Sequence, residues 1–124
     1  MEKEFILYEQ ALALKELGFD EPCFAYYNSD VNNRFDTTKP INAINWNEND
    51  DFDLDTSAPT FSQSFRWFRE KYGLIGWIEG KQMYGYRIES TIPTDDQLSA
   101  YPFRKYEEAE LECLKKLIEI FKNK

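Results

Sequence analysis

The chain has no histidine, and that absence excludes a great deal. It removes the commonest general base, the Ser-His-Asp and Cys-His arrangements, and most zinc and non-haem iron sites. Cysteine is nearly absent as well. Cys23 and Cys113 are the only two, far apart and without C-x-x-C spacing, so two buried thiols are expected rather than a disulfide. No G-x-x-x-x-G-K-[ST] or G-x-G-x-x-G run occurs to cradle a nucleotide phosphate. Long apolar runs are missing, which argues against a transmembrane helix. The opening MEKEFILYEQ lacks the apolar stretch of a secretion signal, so the cytoplasm is the expected address.

What is present is acid and aromatic. Asp and Glu number 23 against 15 Lys and Arg, a formal charge of −8 over 124 residues. Such a chain repels phosphates, so direct binding to nucleic acid or anionic lipid is not expected. An acidic surface that imitates nucleic acid stays compatible with it. Aromatics make up 17% of the chain, which predicts a core rich in Phe and Tyr within a single domain, 1–124.

The strongest local signal is PTFSQSFRWFREKYGL, 59–74. Thr60 and Gln63 are spaced as a capping box, and Gly73 supplies the left-handed residue that ends a helix. Phe61, Phe65, Phe68 and Tyr72 form one narrow core stripe. Trp67 falls about 140° from the centre of that stripe. There it stands among Ser64, Glu70 and Lys71, either under a long loop or as an anchor for a partner. With Arg66 and Arg69 beside it, this is the candidate interaction surface, because Trp and Arg dominate binding hot spots.

Elsewhere, Tyr8–Leu17 reads as a helix closed by Gly18, with Phe19 folding back onto Leu14. CFAYY, 23–27, reads as a strand with Cys23, Ala25 and Tyr27 on one face. Short strands are expected at Arg34–Thr38 and Ile41–Trp46. The acidic run NENDDFDLD, 47–55, is expected to be exposed for most of its length. Its Asp51, Asp53 and Asp55 resemble the opening of a calcium loop, but Thr56 stands where that loop needs Gly and Ser62 where it needs Glu. No metal or cofactor is therefore expected.

Leu74–Glu79 and Gln82–Glu89 read as a hairpin turning on Gly80-Lys81 as type II′. That register sets Trp77 against Tyr84, Ile75 against Tyr86, and Gly76 against Gly85. The paired glycines would leave a shallow gap open to a core side chain or to a small ligand. Pro93 and Pro102 argue that Ser90–Lys105 is an irregular connector. Tyr106–Lys122 is the last and longest helix, its apolar face running from Cys113 to Phe121.

The predicted fold is α+β, three helices on an antiparallel sheet of three to four strands, in the order α-β-(β)-α-β-β-α. The blocks YEQALALKELGFDEPCF, APTFSQSFRWFREKYGL and KYEEAELECLKKLIEIF resemble small uncharacterised proteins of Bacteroidota and their phages. That resemblance covers about half of the chain. It implies a phage or mobile-element context and a cytoplasmic protein, and it carries no activity, cofactor or catalytic residue. With no catalytic constellation, the expectation is not an enzyme but a protein that binds another protein, with a homodimer as one form of that. The alternatives are an acidic decoy for a nucleic-acid-binding host protein and a small-ligand module.

Overall fold

A computed structural model describes residues 2–37, 43–47, 55–80, 82–90 and 98–122. It is α+β, with three helices and two three-stranded antiparallel sheets where a single sheet is expected from the sequence. The chain divides into two compact units, Met1–Thr60 and Phe61–Lys124. Among the described residues, no helix is long and apolar enough to cross a membrane.

The first unit opens with a single 3₁₀ turn and helix α1, Tyr8–Glu16. The helix ends as its sequence predicts. Gly18 takes φ 93°, the Phe19 N–H donates to the Leu14 carbonyl at 2.9 Å, and the Gly18 N–H donates to that of Lys15 at 3.1 Å. This is a Schellman closure, and it drives Phe19 into the core.

Strand β1, Ala25–Asn28, alternates as expected, with Ala25 and Tyr27 buried and Phe24 exposed. It pairs with β2, Arg34–Thr37, through a 3₁₀ turn followed by Asn32 and Asn33, both left-handed. On its other side lies β3, Thr56–Ser57. The expected strand at Ile41–Trp46 does not form in its described part. Only Ile44 bridges, to Cys23, and residues 41 and 42 lie outside the described residues.

The second unit begins with α2, Phe61–Tyr72. Gly73 at φ 68° ends it, its N–H donating to the Arg69 carbonyl at 3.1 Å. The chain then enters the sheet β4-β5-β6: Leu74–Gly80, Tyr84–Ser90 and Leu98–Phe103. Helix α3, Tyr106–Lys122, matches its predicted bounds and buries Ala109, Cys113, Leu114, Leu117 and Ile118. Phe121 meets Phe68 and Tyr72 of α2 at 6.0 and 3.7 Å between ring centres, so the two helices share one side of the sheet.

The hairpin register differs from the expected one by three residues. Gly80 stands opposite Tyr84, Trp77 opposite Arg87, and Gly76 opposite Ile88. The cause is steric. Gly80 is not a turn residue but a seat, because any side chain there would strike the Tyr84 ring. The paired-glycine gap therefore does not exist. Gly76 instead admits α3: a methyl added to it would lie 3.0 Å from Cys113 Sγ and 3.3 Å from Leu117 Cδ1.

The connector is also corrected at its C-terminal end. Leu98–Phe103 is a strand, and Pro102 is tolerated because β6 is an edge. Pro93 lies outside the described residues.

Candidate functional site

Arg66 and Arg69 are exposed on α2. Trp67 is not, since its residue is only 3% exposed. Its ring meets Phe68 and Tyr72 edge-on at 5.1 and 5.4 Å, and Lys71 Nζ lies 5.2 Å above it. The reading of Trp67 as an exposed anchor is thereby overturned. Helix α2 is buried along two rows rather than one, and Ser64, one turn before Trp67, is fully buried as well. A small residue at that position was the signal that this side of the helix is packed.

The structure assembles a different cluster on the β4-β5-β6 sheet. Leu74, Gly76 and Ile78 lie on the face of β4 toward α3, which leaves Ile75, Trp77 and Glu79 on the opposite face. There the Trp77 Nε1–H donates to Glu79 Oε1 at 3.0 Å, and Arg87 Nε lies 3.6 Å from the same oxygen. The Arg87 guanidinium carbon is 6.0 Å from the Trp77 ring centre. One carboxylate therefore fixes an aromatic ring and a cation beside each other.

Tyr101 of β6 lies along the same face and is 69% exposed. It is seated over Gly85, where an added methyl would come 3.1 Å from Tyr101 Cδ2 and 2.8 Å from the Ala100 carbonyl oxygen. The register shifts between Tyr84 and Tyr86, as a β-bulge does. Beside this bulge, Glu79, Met83, Arg87, Ser99 and Tyr101 surround a shallow hollow of about 420 Å³. Reading β6 as a connector hid Tyr101 and Ser99, and the displaced register separated Arg87 from Trp77.

Among its described residues, only the end of the acidic run departs from the expected exposure. Residues 48–54, including Asp51 and Asp53, lie outside the described residues. Asp55 is 3% exposed, and its carboxylate accepts from the Ser29 backbone N–H and hydroxyl, each at 2.8 Å. It serves as a latch rather than as part of a solvated loop. Among the described residues no group of three His, Cys, Asp or Glu is placed to hold a metal ion.

Charge is divided unevenly between the units. Residues 1–60 contain thirteen Asp and Glu against four Lys and Arg, whereas residues 61–124 contain ten against eleven. Within the second unit, burial and then Glu110 push the Cys113 thiol up to about 12, so it stays protonated and is a poor nucleophile. Burial and then Glu107 raise the Glu110 carboxyl to about 6. Cys23 is likewise buried.

Comparison of the chain with protein-family models, with curated proteins and with solved structures found no match.

Proposed function

We propose that this chain works by binding another protein rather than by catalysis, through the face of the β4-β5-β6 sheet turned away from α2 and α3. The observation that carries the reading is the grouping of Trp77, Arg87 and Tyr101 on that face. These three residue types supply most binding hot spots, and here Trp77 and Arg87 are held in place by Glu79 before any partner arrives. The resemblance to small proteins of Bacteroidota and their phages suggests a bacterial cytoplasm as the setting and a host or phage protein as the partner.

The test is affinity capture from a Bacteroidota lysate, comparing the wild type with Tyr101→Ser and Arg87→Ser. Tyr101 is largely exposed, so its loss leaves the fold intact. A partner captured by the wild type and lost with both variants is the expected result. Equal capture by all three proteins moves the surface elsewhere, with the exposed Arg66 and Arg69 next in line.

A second reading is favoured by the division of charge. With thirteen acids against four bases, residues 1–60 have the electrostatic character of a nucleic-acid mimic. An acidic decoy would capture a nucleic-acid-binding protein, and added DNA would compete for it. A partner indifferent to DNA removes this reading.

A further inference from the structure

Exposed strand edges invite pairing with other chains, and natural sheets usually guard them. Three of the four edges formed by the described strands are guarded. In the first unit β2 spans only four residues and carries Arg34 and Asp36, and β3 is two residues long. In the second unit β6 carries Pro102 and faces the bulge between Tyr84 and Tyr86. The fourth edge, β4, is different. It runs seven residues, LIGWIEG, with no proline, no bulge and no charge before Glu79. Among the described strands it pairs with β5 alone.

We infer that β4 pairs antiparallel with β4 of a second copy, joining two three-stranded sheets into one of six strands. The sequence of β4 is self-complementary about Gly76. With Gly76 opposite Gly76 of the second copy, each Ile75 meets a Trp77 on the open face, and each Leu74 meets an Ile78 on the helix-covered face. Aromatic and β-branched cross-strand pairs of this kind are favourable, and no like charges stand opposite one another. Glu79 falls past the paired core, opposite Gly73. The edge also belongs to the unit in which charges nearly balance, so two copies of a chain carrying −8 meet where their repulsion is least. Pairing would be isologous, the symmetry most dimers use. It would set the two Trp77–Arg87–Tyr101 clusters on one continuous face, each completed by Ile75 of the other copy. The inference is independent of whether that face binds a partner protein.

Sedimentation of the full chain from micromolar to millimolar concentration tests it. A reversible dimer is expected, and Ile75→Lys, which places a guarding charge on the edge, should weaken it about 30-fold or more. Hydrogen exchange of the wild type provides a second measurement that needs no variant. Amides of β4 should gain protection as concentration rises, while those of β2 should not. The register is read by mixing Ile75→Cys with Trp77→Cys, which should form a disulfide dimer that neither variant forms alone. A chain that stays monomeric throughout, or a dimer whose β4 amides gain no protection, overturns the proposal.

Discussion

The two units solve the same packing problem by different means. The first holds its short strands in place with polar latches. Tyr27 Oη donates to the Ile6 carbonyl at 2.5 Å, Lys15 Nζ to the Asp55 carbonyl at 2.9 Å, and the Trp46 N–H to the Ser57 hydroxyl at 3.0 Å. The second unit has longer strands, packed through its glycines: the Tyr84 ring over Gly80, and Cys113 against Gly76. Irregular backbone needs a specific side-chain partner for each stray N–H and carbonyl, whereas regular strands satisfy one another and leave the side chains free to pack. The first unit should therefore be sensitive to the loss of single polar groups, and the second to changes of volume.

The largest effect is expected at Trp67. Trp67→Ala removes a buried indole from the second unit and should cost about 3–5 kcal/mol in urea unfolding. A loss under 1 kcal/mol would mean that the ring contributes little to packing and would reopen the reading of Trp67 as a binding residue. Asp55→Ala tests the first unit. It strips the acceptor from the Ser29 N–H and hydroxyl, for an expected loss of about 1–3 kcal/mol. Hydrogen exchange should show that loss in residues 1–60 and little change in β5 or α3. Equal loss in both halves would mean that the units unfold as one.

The smallest effect is expected at Glu110. Its carboxyl is raised from 4.5 to about 6 by burial, then by Glu107, so the folded state disfavours the ionised form. The stabilisation from protonation is complete below about pH 4.5 and is lost as pH rises through about 6. Because Glu110 is half-exposed, solvent screening holds the effect below about 1 kcal/mol. Glu110→Gln should raise the melting temperature slightly at pH 7 and remove this component of the pH dependence. A wild-type profile that the variant leaves unchanged would assign the pH sensitivity to the acidic first unit.

The helices were legible because their ends are written in local chemistry. Gly18 with Phe19, and Gly73 after Tyr72, define two termini with no help from tertiary contacts. The strands were less so. Gly80 has the same letter whether it turns the chain or seats a ring, and only the position of Tyr84 decides between the two. Pro102 breaks a central strand but not an edge, and edge status depends on the topology. The candidate site was missed for the same reason. Trp77, Arg87 and Tyr101 come from three strands, and only the register brings them together. Trp67 stayed between cover by a loop and contact with a partner because a helical wheel orders only one buried face, and the significance of Ser64 depends on what packs against it.

Asn47 has a consequence for engineering. Its side-chain amide donates to the Phe19 carbonyl at 2.9 Å, and its side-chain oxygen accepts from the Ser57 N–H at 2.9 Å. A single residue therefore staples the start of the acidic run both to the end of α1 and to β3, while Asp55 fastens the other end to Ser29. Asn47→Ala should therefore loosen the end of α1 and β3 together, since one substitution removes both hydrogen bonds.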